Sequence, residues 1–219
     1  MALTSNWDSS KAQSNYHFDP FRPEPEGFAF QYCGRIIADW EDELQRAIKS
    51  AEPKSWATRG KKYHPDHPDL IAEENDLKRA GVDTDVVIFH KNFEFKGILD
   101  RVCGVLGLEN IKRAMHIQFP GEMLHLHIDK QYEMNDNPAE VRRFFIMLAD
   151  WTPGQFLHFG NTPMQQWRKG DIYTFDWQNM PHSSANASWT VRPLIQITGS
   201  MTEKTRQLLF GFKQEYIVK

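Results

Sequence analysis

The chain has 219 residues, 40% hydrophobic, 25% charged and 13% aromatic, enough to bury a core as one domain. Its 26 Lys and Arg against 29 Asp and Glu leave a net charge of −3, which gives no electrostatic case for nucleic acid or an anionic membrane surface. No apolar run approaches the roughly 18 residues of a spanning helix, and residues 1–8 lack a basic stretch followed by an apolar one, so a cytoplasmic protein is expected. Cys33 and Cys103 are far apart in sequence and are expected to remain reduced thiols.

Residues 1–30 turn from polar to aromatic and Pro-rich, the pattern of an extended arm. Residues 38–51 place Trp40, Leu44, Ala47 and Ile48 at helical spacing, with Asp39, Glu41, Asp42 and Glu43 at the positive end of the helix dipole. A Pro-, Lys- and His-rich loop is expected over 52–69, a short polar helix over 70–80 and a buried strand over 85–89. Residues 95–108 read as an amphipathic helix with Ile98, Leu99, Val102, Val105 and Leu106 on one side.

From Lys112 the pattern changes to short strands punctuated by turns. They are expected at 113–119, 122–129, 142–149, 155–160, 163–167, 171–176, 181–185 and 192–199. About eight short strands in some 90 residues fit an antiparallel jelly roll. Thr202 can cap a last helix over 203–214, whose apolar face (Leu208, Leu209, Phe212) suits packing on the sheet or a homodimer contact. The expected fold is one α+β domain with a mainly β core. Residues 1–110 form an arm and supporting helices, 111–200 a cupin-like double-stranded β-helix, and 201–219 a C-terminal helix.

The His-x-Asp pattern occurs four times, at His17/Asp19, His64/Asp66, His67/Asp69 and His127/Asp129. The first three lie among prolines and read as loop residues. His127/Asp129 ends an alternating strand in which Met123, His125, His127 and Asp129 share one face. Ionisable groups in such a row are costly to bury unless paired or bound to a metal. A polar strand face open to water is the other reading. Downstream, His182 follows a turn, and Arg192 heads the apolar strand 192–199. A buried arginine there needs either a carboxylate ligand or an internal Asp or Glu.

Residues 113–199 resemble the core of the Fe(II)/2-oxoglutarate-dependent oxygenases, in particular their prolyl-hydroxylase-like branch. The matching positions are His127, Asp129, His182 and Arg192, with the strand and Pro-Gly turn 114–121 before the first ligand. The resemblance implies Fe(II) held by His127, Asp129 and His182, 2-oxoglutarate with its far carboxylate on Arg192, and dioxygen, with ascorbate as a candidate reductant. The reaction it implies is hydroxylation of an amino acid or peptidyl residue. Some members offer a tyrosine to the far carboxylate; here Gln118 or His116 would substitute. Leu194 stands where many relatives have serine or threonine. Thr198 replaces the second arginine of nucleic-acid demethylases, which argues against a nucleic-acid substrate.

Arg143 shares parity with Phe145 and Met147, and is read either as a second internal cation that holds a carboxylate of co-substrate or substrate, or as a surface residue. His125 and His158 are weaker candidates for substrate contact. Two other functions use the same residues: an iron-dependent cupin dioxygenase that does not use 2-oxoglutarate, and a non-catalytic jelly-roll ligand-binding protein.

Overall fold

The structure, a computed structural model, describes residues 30–51, 89–91, 93–127, 140–160, 162–177, 180–212 and 214–219. Strand β1 (Phe30–Ile37) and helix α1 (Glu41–Ser50) precede β2 (Phe89–Lys91) and α2 (Gly97–Gly104). Eight strands follow: β3 (Glu109–Gln118), β4 (Met123–His127), β5 (Val141–Met147), β6 (Gln155–Phe159), β7 (Thr162–Met164), β8 (Asp171–Phe175), β9 (His182–Asn186) and β10 (Arg192–Ser200). Helix α3 (Glu203–Phe210) and β11 (Glu215–Ile217) end the chain.

A seven-stranded sheet has the order β11-β1-β8-β5-β10-β3-β2, and a four-stranded sheet the order β4-β9-β6-β7. From β3 to β10 the chain passes repeatedly between the sheets, and every pairing within that stretch is antiparallel. Inserting β10 between β3 and β5, and β9 between β4 and β6, gives the double-stranded β-helix. The chain is thus α+β with a jelly-roll core, and each of the eight strands expected from the turn signals has a counterpart.

The two faces of the larger sheet feed different cores. On its outer face Ile146, Ile195 and Ile197 meet Trp40 and Leu44 from α1 and Leu99, Val102 and Leu106 around α2. Its inner face contributes Phe145, Met147, Phe175 and Leu194, which meet Leu157, Phe159 and Met164 of the smaller sheet. Alternation along β10 divides Leu194 from Ile195 and Ile197. Burial of each such side chain is worth about 1.5–3 kcal/mol. Glu43 lies in the first turn of its own helix, as expected, and its carboxylate also accepts from the Ile98 and Leu99 amides at 2.8 and 3.2 Å. It therefore caps α2 and fixes one helix against the other.

Differences from the expected elements lie at the edges. Residues 30–37, to which the sequence assigned no element beyond the end of the arm at 30, are a strand paired with β8 through an irregularity between Tyr32 and Gly34. Gly34 has φ +123°, and a Cβ there would lie 2.6 Å from the Gln214 carbonyl oxygen. The glycine thus breaks the alternation that would have marked a strand. The last helix stops at Phe210, and Glu215–Ile217 instead pair parallel with β1. The helix expected over 70–80, the loop over 52–69 and residues 85–88 lie outside the described residues. Both cysteines are buried, and burial pushes the Cys103 thiol up to about 11. No described helix is long and apolar enough to cross a membrane.

Candidate metal and carboxylate site

The interior of the roll is apolar over one part and polar over another. The polar part gathers buried His116, Gln118, Glu122, His127, His182, Ser184 and Arg192. On β9 the alternation turns His182, Ser184 and Asn186 inward. On β4 alternation alone would put Leu124 and His127 on opposite faces. The register shifts between them, so that Leu124 lies opposite Ser184 and His127 opposite His182, both buried. Met123, expected on the face of His127, is instead 40% exposed. An extra residue in one strand re-aims the side chains beyond it, and here it brings a second histidine inside.

The His127 and His182 rings are 4.3 Å apart between centroids. The Nδ1 of His182 lies 3.1 Å from the Met180 carbonyl. A carbonyl only accepts, so Nδ1 carries the hydrogen and Nε2 the lone pair, the tautomer of a metal ligand oriented by its backbone. Phe159 stacks on His182 at 6.0 Å, and Phe175 meets it edge-on at 4.9 Å. Two imidazoles so close, walled by phenyl rings, are placed to share a cation. Among the described residues no cluster of three metal-ligating side chains occurs. The expected third ligand, Asp129, lies outside the described residues, as does the side chain of His125.

Arg192 is 1% exposed. It stands opposite Gln118 in the β10–β3 ladder. Its Nε donates to Gln118 Oε1 at 2.8 Å and its Nη2 to Ser184 Oγ at 3.3 Å. The Gln118 amide in turn donates to Ser184 Oγ at 3.2 Å. These contacts fix the guanidinium plane between the two sheets, while Nη1 is buried without a hydrogen-bond partner. Burial pulls Arg192 down to about 9, and the charge of Glu122 opposes this. Among the described residues no carboxylate forms an ion pair with it. Glu122 is buried nearby, but its Oε2 accepts from the Phe119 amide at 2.7 Å and its Oε1 has no partner.

Gln118 therefore touches Arg192, as one of the two expected substitutes for tyrosine. His116 lies two residues earlier on β3, with its ring 6.5 Å from that of Phe145. Arg143 faces the interior but not beside Arg192. Its β10 neighbour is Thr198, to which it donates at 2.8 Å, six residues or about 20 Å along the strand from Arg192. Its guanidinium covers the Trp177 ring at 4.5 Å. His158 is corrected as well: it lies between inward Leu157 and Phe159, on the outer face with exposed Phe156. Apolar neighbours claimed the interior positions of β6.

Sequence reasoning missed Ser184 and Glu122. Ser184 had a signal, since a residue two beyond an inward strand histidine also points inward. Glu122 reads in sequence as an ordinary acid after a Pro-Gly turn.

No family model matches the chain, and no curated protein matches it. Solved structures similar to it include an RmlC-like cupin from Shewanella frigidimarina, 11% identical, covering 55% of this chain and 83% of that one at TM-score 0.33. A cupin 2 conserved barrel domain protein from Salinispora arenicola is 10% identical and covers 61% and 92% at TM-score 0.33. A predicted oxalate decarboxylase from Thermotoga maritima is 13% identical and covers 52% and 81% at TM-score 0.34. The jelly-roll assignment rests on the strand order, not on these likenesses.

Proposed function

We propose that the chain is a non-haem iron oxygenase that takes 2-oxoglutarate as co-substrate and hydroxylates an unactivated C–H of an amino acid or peptidyl residue, releasing succinate and carbon dioxide. The observation that carries this reading is the buried, incompletely bonded guanidinium of Arg192 beside the histidine pair. Arg192 touches Ser184, and Ser184 and His182 share the inward face of β9. Two residues along a strand are about 6.6 Å. A five-carbon dicarboxylate with one end at the histidines and the other at Arg192 matches that separation. Arginine recognises carboxylate in a planar, charge-assisted geometry, which would occupy Nη1.

His127 and His182 would hold the iron, with Asp129 as the expected third ligand and the remaining positions open. When bound, Fe(II) supplies the activation of dioxygen that side chains cannot provide. The protein's own residues do the rest. The Met180 carbonyl keeps the lone pair of His182 on Nε2. Phe159 and Phe175 limit water around the ring. Gln118 and Ser184 hold the guanidinium in one plane.

A second reading keeps the iron and makes the acid on Arg192 the substrate itself, as in cupin dioxygenases that do not use 2-oxoglutarate. The same guanidinium supports it, since a cation with no carboxylate partner among the described residues specifies an anion and not which one. Succinate release from 2-oxoglutarate, measured with Fe(II) under air against His182→Ala, tests the proposal. Succinate formed by wild type and lost in the variant is the expected result. Iron binding with no succinate, under any substrate screened, would transfer the assignment to the second reading. Absence of iron binding would leave a ligand-binding jelly roll.

A further inference from the structure

We propose that Glu122 is a positioning residue of the Arg192 pocket that meets the ligand carboxylate as a neutral acid, so that capture of the anion takes up a proton. This rests on reading Arg192 as an anion site. Glu122 follows the Pro120-Gly121 turn and is 6% exposed. Its carbonyl accepts from the Asn186 amide at 2.9 Å, which aligns it with Asn186 on β9, two residues from the Leu124–Ser184 pair. Ser184 is the residue that Arg192 Nη2 touches. Glu122 thus approaches this stretch of β9 from the start of its neighbour β4, and Arg192 approaches it from β10 in the facing sheet.

Each of the two side chains is secured by part of its polar surface and leaves one atom unused. Glu122 Oε2 closes the turn on the Phe119 amide, and Gln118 and Ser184 hold Arg192. Glu122 Oε1 and Arg192 Nη1 are both buried without hydrogen-bond partners. A buried polar atom left so costs about 1–3 kcal/mol. They do not satisfy each other. One ligand group can satisfy both: a carboxylate accepts from Nη1 through one oxygen, and from Glu122 through the other if Glu122 carries its proton. An ionised Glu122 would instead repel the ligand.

Burial pushes Glu122 up to about 7, with the Phe119 amide and Arg192 pulling the other way. Near neutral pH the pocket therefore changes between donating and repelling forms. The groups around it are Arg192 on β10, His116 and neutral Gln118 on β3, His127 on β4, and His182 with neutral Ser184 and Asn186 on β9. Three histidines share this interior, so the comparison must isolate Glu122.

The test is calorimetric titration of the full chain, without added metal, with 2-oxoglutarate at pH 6 and pH 8 in buffers of different ionisation heat. For a group titrating at about 7 that must be protonated to bind, linkage predicts a Kd about tenfold weaker at pH 8 than at pH 6. Glu122→Gln should show the same Kd at both pH values within about twofold and lose the proton uptake; Arg192→Met should bind at least about 30-fold more weakly at either pH. A pH-independent wild-type Kd, or Glu122→Gln with the tenfold change intact, overturns the role of Glu122 and leaves the anion site standing. No binding by wild type, or undiminished binding by Arg192→Met, overturns the anion site and this inference with it. Proton uptake by wild type is read without any variant, so a poorly folded Glu122→Gln does not suspend the test.

Discussion

Replacing Arg192 by methionine separates a functional cation from a structural one. The guanidinium is 1% exposed and bonded to neutral Gln118 and Ser184, and among the described residues no carboxylate pairs with it. Exchanging buried ionic groups for apolar ones of similar volume often stabilises by about 1–4 kcal/mol. Against this, the substitution strands Gln118 Oε1 as a buried acceptor, at about 1–3 kcal/mol. The two contributions largely cancel, and the unfolding free energy should change by no more than about 2 kcal/mol. Truncating one partner of a buried charge pair in a complex costs about 2–5 kcal/mol, so 2-oxoglutarate affinity should fall from about 30-fold to several thousand-fold. Urea unfolding followed by circular dichroism, with the slope checked for constancy, gives the first quantity; ligand titration gives the second. A loss of stability above about 3 kcal/mol with affinity unchanged would make Arg192 a structural residue and remove the anion site.

Alanine at His127 or His182 should abolish retention of Fe(II) and succinate release while the circular dichroism spectrum stays that of wild type. A variant that keeps its iron would remove that histidine from the site. Glu122 should also mark the pH dependence of folding. The unfolded chain gives up this proton near 4.5 and the folded chain near 7, so between those values the folded state holds more protons and rising pH favours unfolding. Relative to Glu122→Gln, wild type should lose up to about 3 kcal/mol across that window, and parallel curves would contradict the assignment. Gly170→Ala should cost more than about 2 kcal/mol in urea, because φ is +89° and the new Cβ would overlap the Ile36 carbonyl oxygen. Gly104→Ala in α2 meets nothing within 4 Å and should be neutral or stabilising by about 0.5–1 kcal/mol. The reverse ranking would contradict the close approach of Gly170 to β1.

The roll was legible because its strands are short and separated by Pro, Gly and Asn turns, and alternation between those turns is a local signal. Strand β1 was not, because Gly34 interrupts its alternation and a parallel partner from the far end of the chain completes its pairing. The pairing of His127 with His182 was anticipated from residue types. The bulge that produces it was not, since strict alternation placed Met123 inside, and the structure turns Leu124 in. His158 could have been set aside from sequence, because Leu157 and Phe159 on either side compete for the interior. The surroundings of Arg192 were out of reach. They depend on the register of β10 against β3 and on how closely β9 approaches from the other sheet, and neither leaves a trace in local spacing.

Binding of one iron by His127 and His182, next to an acid held by Arg192, is open to a single experiment. It is equilibrium dialysis of the full chain against Fe(II) under anaerobic conditions, with and without 2-oxoglutarate, followed by metal analysis. One iron per chain is expected, held more tightly when 2-oxoglutarate is present, with that enhancement lost in Arg192→Met and the iron itself lost in His182→Ala. Iron retained by His182→Ala, or an affinity indifferent to 2-oxoglutarate, would contradict the shared site.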